Sequence, residues 1–189
     1  MKFENVVKCY NGKKVLDGLS FEAEKGRAVC LFGPSGNGKT TALNIIAGIC
    51  RPDGGKITGT DVKISYVFQD NRLLEWFTAK ENIMMTAANK DAAREFIEIS
   101  GLQEYLDIYP EQMSGGMKKI TAIARAIGYD GDIFLLDEPF NGIDKNRIEA
   151  IAEYIRKITY DKICILVTHS QYEADLLNAK IIKINNNCY

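Results

Sequence analysis

Residues 33–40 read Gly-Pro-Ser-Gly-Asn-Gly-Lys-Thr, directly after the apolar run Ala28–Phe32 and before a stretch with helical spacing at Leu43, Ile46 and Ala47. This matches G-x-x-x-x-G-K-[ST], a pattern that functions only as a loop between a buried strand and a helix. Glycines let the backbone turn so that successive N–H groups converge on phosphate oxygens. The helix N-terminus adds partial positive charge. Gly33, Pro34, Ser35, Gly36, Asn37, Gly38 and Lys39 therefore form a candidate phosphate loop, with Lys39 reaching the β- and γ-phosphates of a nucleotide and the Thr40 hydroxyl placed to ligate Mg²⁺.

The rest of the chain agrees with the fold that this loop demands. Ala28–Phe32, Ile133–Leu136 and Ile163–Val167 are apolar without polar alternation, as strands covered on both faces are. Helical periodicity follows each: after the second at Ile148, Ile151, Ala152, Ile155 and Ile158, after the third at Tyr172 and Leu176. Strands alternating with helices predict an α/β fold with a mainly parallel core sheet. The first 26 residues differ, with β-like pieces Phe3–Val7 and Val15–Phe21 flanking Asn11-Gly12, which predicts a small antiparallel β region. Residues from about 71 to 115 read as an inserted helical subdomain, and 1–189 as one domain. Asn185–Tyr189 read as a polar end. In such sheets ligands bind beyond the carboxyl ends of the strands.

Composition narrows the function. Lys and Arg number 24 against 25 Asp and Glu, so the basic surplus that displaces counterions from nucleic acid is missing and no nucleic-acid partner is expected. The longest apolar runs stop at about five residues, where a spanning helix needs roughly 20, and Met1–Asn5 has no signal-peptide character. The expectation is a soluble protein that is not exported by that route. Cys9, Cys30, Cys50, Cys164 and Cys188 are odd in number and form no CxxC pair, which argues against a disulfide framework or zinc site and for a reducing compartment.

Two further motifs carry chemistry. The strand Ile133–Leu136 ends in Asp137-Glu138-Pro139. Asp137 stands at the strand's carboxyl end beside the phosphate loop, placed to hold Mg²⁺ through water, and Glu138 follows, close enough to polarise an attacking water. Ser114-Gly115-Gly116 precedes Met117, Ile120, Ile123, Ala124 and Ile127 at helical spacing, so Ser114 reads as an N-cap and the tripeptide as a second anion site.

Taken in order, Gly33–Thr41, Gln69 after Tyr66-Val67-Phe68, Ser114-Gly115-Gly116, Asp137-Glu138-Pro139, Asp144 and His169 resemble the nucleotide-binding domain of ABC ATPases over essentially the whole chain. The resemblance implies ATP and Mg²⁺ as ligands and a head-to-tail dimer in which each ATP lies between one subunit's phosphate loop and the other's signature helix. Ser114, Gly115 and Gly116 would contact the γ-phosphate bound by a second ATPase subunit, most simply a second copy of this chain. Glu138 would be the general base. His169, the sole histidine, would contact the γ-phosphate. Gln69 would sense Mg²⁺ and water and link the core to the helical insert. Asp144 would end the loop that crosses to the other subunit, or cap the following helix, and Tyr10 would stack on adenine.

Residues 67–83, with Arg72-Leu73-Leu74-Glu75-Trp76-Phe77-Thr78 and Glu81-Asn82, look like the corresponding region of importers for nitrate, sulfonate, taurine and thiamine precursors. The resemblance implies small-solute import through an integral-membrane permease, with a solute-binding protein in the full importer and a cytoplasmic, peripheral position on the inner membrane face. Leu73, Leu74, Trp76 and Phe77 would form either the groove that receives a permease helix or the core of the insert. Met113 stands where Leu is usual, Met117-Lys118-Lys119 where Gln/Met-Arg-Gln is, and Asn141-Gly142-Ile143 departs from the small-residue/Leu pattern before Asp144. The intervals of about 30 residues from Lys39 to Gln69 and about 45 from Gln69 to Ser114 are short for the family. Two alternatives remain open at this point: an ABC ATPase of translation or DNA repair, and a guanylate-kinase-like enzyme, whose phosphate loop also resembles Gly-Pro-Ser-Gly-x-Gly-Lys.

Overall fold

The apolar runs alternate between two cores. In a computed structural model, which describes residues 1–184, Ile133–Asp137 (β6) sends Phe134 and Leu136 to one side and Ile133 and Leu135 to the other. Ile163–Thr168 (β7) divides Cys164 and Leu166 from Ile165 and Val167, and Val29–Phe32 (β3) divides Cys30 from Val29 and Leu31. Successive strand residues point to opposite faces, so a strand buried on both faces needs no polar alternation. With Ile64–Val67 (β5) and Lys180–Lys183 (β8) these strands form a parallel sheet in the order β5-β6-β7-β3-β8.

One core lies between this sheet and a smaller antiparallel sheet, β2-β1-β4, made by Lys2–Tyr10 (β1), Lys13–Glu22 (β2) and Gly54–Thr58 (β4). Phe3, Val6, Leu16 and Phe21 face it together with Leu43 and Ile46 of helix α1 (Lys39–Ile46). The predicted β1–β2 hairpin turns at Asn11 and Gly12, whose φ of 50° and 79° suit the two-residue turn that matches strand twist.

The other core is helical. It gathers α2 (Ala79–Met84), α3 (Lys90–Ser100), α4 (Gly115–Tyr129), α5 (Lys145–Ile158) and α6 (Gln171–Leu176), through Ile83, Phe96, Ile123, Ile127, Ile151 and Ala174. The segment between β5 and α4 carries α2, α3 and two short 3-10 turns, with Phe68–Thr78 non-helical. Cys30 and Cys164 pack in this core, where burial pushes both thiols up to about 12. Residues 185–189, including the polar end and Cys188, lie outside the described residues.

The topology sets the site. Gly33, Gln69, Glu138 and His169 each follow the carboxyl end of a strand of one parallel sheet, so four loops open on the same edge.

Candidate functional site

The phosphate loop takes the shape its glycines permit. Gly36 and Gly38 have φ of 84° and 79°, a conformation strained for side chains other than glycine, and Gly38 caps α1 without a side-chain acceptor. The first-turn N–H groups thereby face the cavity in front of the helix. Lys39, 6% exposed, folds back and donates from Nζ to the carbonyls of Gly33 at 2.8 Å and Pro34 at 2.7 Å. Burial lowers its pKa, while Glu138 and Asp137 act in the opposite sense. A cavity of about 190 Å³ is lined by Ser35, Gly36, Gly38, Lys39, Thr40, Thr41, Gln69 and Glu138, with Val15 and Val167 closing it. Gly33, Pro34 and Asn37 of the predicted loop do not line it, and the Asn37 amide instead donates to the carbonyl of Ile184 at 3.1 Å.

Asp137 is 1% exposed, and neither carboxylate oxygen has a hydrogen-bond partner. Burial pushes its pKa up, against the nearby Thr40 hydroxyl and the ammonium groups of Lys119 and Lys39. An unpaired buried carboxylate is costly, and a divalent cation held with Thr40 would relieve it. Among the described residues no group of three or more His, Cys, Asp or Glu side chains could cage a metal. The donor set suits Mg²⁺, which keeps waters and substrate phosphates as most of its ligands. Glu138, next along, has φ of +46°, an outlying value for a long side chain and a hallmark of functional strain. His169 sits beside it, exposed, with Nδ1 3.7 Å from Glu138 Oε1.

The signature tripeptide lies elsewhere. Ser114 caps α4, its hydroxyl accepting from the Met117 N–H at 3.2 Å, as its position before a helical run predicts. Ser114 and Gly116 line a second cavity of about 500 Å³ with Ile143, Asp144 and Arg147. Gly116 abuts the turn before α5 so closely that a Cβ would stand 2.4 Å from the Gly142 carbonyl oxygen. Asp144 takes the N-cap position of α5, but its side chain makes no capping bond. The two cavities share no lining residue. Tyr10 is 46% exposed at the end of β1, its hydroxyl beside Cys50 Sγ at 3.8 Å and close to Thr41.

Residues 16–141, spanning the phosphate loop, the signature helix and Asp137-Glu138, match the protein family described as ABC transporter. The chain belongs to the ABC transporter family. It is 38% identical over 183 aligned residues to the "Aliphatic sulfonates import ATP-binding protein SsuB" of Bacillus cereus, covering 89% of this chain and 73% of that protein. It is 34% identical to the "Bicarbonate transport ATP-binding protein CmpD" of Synechococcus elongatus, covering 97% and 74%. Its fold superposes with a TM-score of 0.85, at 28% identity and over 97% of this chain and 94% of the other, on the dimeric ATP-binding cassette MJ0796 in a post-hydrolysis state with ADP and Pi. The ABC subunit is thus an ATP-binding transport ATPase with an α/β P-loop fold.

Sequence reasoning gave no site role to Val15, which closes the phosphate cavity from β2, and noted Gly142, which Gly116 touches, only as a departure from the family pattern. Neither residue type signals such a role, since both depend on distant segments meeting. Leu73, Leu74 and Trp76 have different surroundings. Leu73 packs on the helical core and Leu74 lines an apolar groove of about 470 Å³ with Ile49, Tyr66, Phe68, Met85 and Tyr129, while Trp76 stands 71% exposed.

Proposed function

We propose that this ABC subunit hydrolyses ATP at a head-to-tail interface with a second copy of itself and drives small-solute import through a separate membrane permease. The observation that carries the dimer is the division of the candidate residues. Lys39, Thr40, Gln69 and Glu138 line one cavity, and Ser114, Gly116 and Asp144 line another. One chain alone therefore offers two unlike half-sites, which a two-fold pairing makes into two like whole ones. The dimeric cassette with ADP and Pi that this fold matches supports the same reading.

In this reading the phosphate loop, with Thr41, holds the ATP phosphates on its N–H groups, and Tyr10 stacks on the adenine. Lys39 exchanges its carbonyl partners for phosphate oxygens, a short movement of a side chain already in place. Asp137, Thr40 and Gln69 would hold Mg²⁺, which would supply charge neutralisation to the phosphates. Glu138 takes the proton of an attacking water oriented by Gln69 and His169, and Lys39 stabilises charge that develops on the transferred phosphoryl group. Ser114, Gly115 and Gly116 of the second copy complete the site on the γ-phosphate side, with Asp144 crossing the interface.

Import is supported by the relatives, whose names specify sulfonate import and bicarbonate transport. None of the described helices is long and apolar enough to cross a membrane. By analogy with the import relatives, the channel in this reading belongs to another chain and this subunit lies at the inner membrane face. The groove at Ile49, Tyr66, Phe68, Leu74 and Met85 is the place where an apolar permease helix would seat. A solute-binding protein would complete the importer. The whole of residues 1–189, with the insert at about 71–115, is read as one catalytic domain. Co-expression with the candidate permease, detergent extraction and affinity capture test the assignment. Recovery of two ATPase copies per complex supports it, and a subunit that never captures the permease sinks it.

A further inference from the structure

The loop after β5 is fastened to α4 by two cations. Lys119, 3% exposed, donates from Nζ to the carbonyl oxygens of Phe68 at 3.0 Å and Gln69 at 2.9 Å. Further along the same helix, Arg125 donates to the carbonyls of Arg72 at 2.8 Å and Asn71 at 2.9 Å. Four carbonyls of a single non-helical loop thus turn toward α4. The later part of the loop is held separately by the buried Asn82, whose amide donates to the carbonyls of Leu74, Phe77 and Thr78 and whose oxygen accepts from the Leu74 N–H.

Lys119 is the informative member of the pair. A buried ammonium is expensive unless its donors are used, and charge-assisted bonds to carbonyls are the stronger kind. Burial lowers its pKa, with the carboxylates of Asp137, Glu138 and Asp70 opposing that shift. Lys119 does not line the phosphate cavity, but Gln69, the residue whose carbonyl it holds, does. It also sits about one turn beyond the start of α4 at Gly115, the helix whose Ser114 and Gly116 line the second cavity.

We propose that Lys119 is a positioning residue for ATP hydrolysis, holding the main chain of Gln69 against α4 so that the Gln69 side chain enters the phosphate cavity in register with the signature helix. This rests on the role given to Gln69 above. The two cavities are then mechanically joined within one chain: a displacement of α4 displaces Gln69. Arg125 anchors the same loop two and three residues further on, at Asn71 and Arg72.

The test is a double-mutant cycle on the full chain, with Lys119→Met, Gln69→Ala and the pair, reading steady-state kcat for phosphate release and the Kd of a fluorescent ATP analogue. Lys119→Met is expected to lower kcat about tenfold while Kd stays within about twofold, because Lys119 does not line the phosphate cavity. Lys119→Gln, which keeps an amide donor, recovers part of the loss. In the Gln69→Ala background, Lys119→Met lowers kcat no further, as expected for two residues acting as a unit. Equal losses from Lys119→Met in both backgrounds, or no loss at all, overturn the proposal while leaving the Gln69 assignment standing. A Gln69→Ala variant with normal kcat removes that assignment and the proposal with it. If Lys119→Met fails to fold, the same cycle is run with Lys119→Gln, for which a smaller loss, again absent in the Gln69→Ala background, is expected and equal losses or none overturn the proposal.

Discussion

His169 Nδ1 lies 3.7 Å from Glu138 Oε1 although 31 positions separate them in the chain, because β6 and β7 are neighbouring parallel strands. Asp137 pairs with Val167, and the Glu138 N–H donates to the Val167 carbonyl at 2.9 Å, so the residues just beyond each strand emerge side by side. Glu138, with its strained φ and partly buried carboxylate, lines the phosphate cavity, and the exposed imidazole of His169 lies beside that carboxylate without lining the cavity.

Replacing Glu138 by Gln keeps size and hydrogen bonding but removes the base. The expected outcome is ATP affinity near that of the unaltered chain, phosphate release slower by about 10²–10⁴-fold, and a dimer that persists with ATP in gel filtration. Phosphate release at the normal rate would remove Glu138 as the base.

Gly116→Ala separates the two half-sites. The added methyl would stand 2.4 Å from the Gly142 carbonyl, so the start of α4 and the turn before α5 must part, at a cost of about 1–3 kcal/mol. Gly116 does not line the phosphate cavity, so nucleotide binding to the isolated subunit should survive while turnover falls at least about tenfold. A matched loss of binding and turnover would place Gly116 in the same half-site as Lys39, contrary to the dimer reading.

What the sequence disclosed, and what it hid, follows from the range of the interactions. The phosphate loop, the β1–β2 hairpin and the Ser114 cap are local: each is written in a few adjacent residues whose backbone demands are specific. The buried strands could be read because burial on both faces leaves an unbroken apolar run. Two strands escaped. Gly54–Thr58 carries two glycines and a lysine, and Lys180–Lys183 is a four-residue edge strand with a lysine at each end. The close approach of Gly116 to Gly142 and the grip of Lys119 on Phe68 and Gln69 join segments tens of residues apart, and no local pattern encodes them. Lys119 could be noticed only as a departure from the usual residue of the family.

A charge in the apolar groove tests the permease contact. Met85 is 54% exposed and lines the groove with Leu74, so Met85→Glu should fold normally, its carboxylate reaching water in the free subunit. Docking an apolar helix there would bury that carboxylate unpaired, which is strongly unfavourable. Capture of the permease should fall at least about tenfold with the basal ATPase of the isolated subunit within about twofold. Undiminished capture would exclude this groove as the seat of the permease helix.

The two unpartnered oxygens of Asp137 predict a conflict between stability and function. Burial raises this carboxyl above its ordinary range, so the native chain keeps the proton to a higher pH than the unfolded chain does. Between the two pKa values the native state binds more protons, and stability therefore falls as pH rises through that window; above it the whole penalty of the buried charge remains. Asp137→Asn removes the ionisation but leaves the shape. In the absence of nucleotide and Mg²⁺ the variant should be more stable than the parent at neutral pH by about 1 kcal/mol, or ~2–4 °C in Tm. The gap should shrink as the pH is lowered and Asp137 becomes neutral in both states. Added ATP with Mg²⁺ should raise the Tm of the parent but much less that of the variant, because the cation loses a carboxylate ligand, and hydrolysis by the variant should fall by at least about tenfold. A stability difference that stays constant with pH would mean that the Asp137 charge is already compensated in the folded chain.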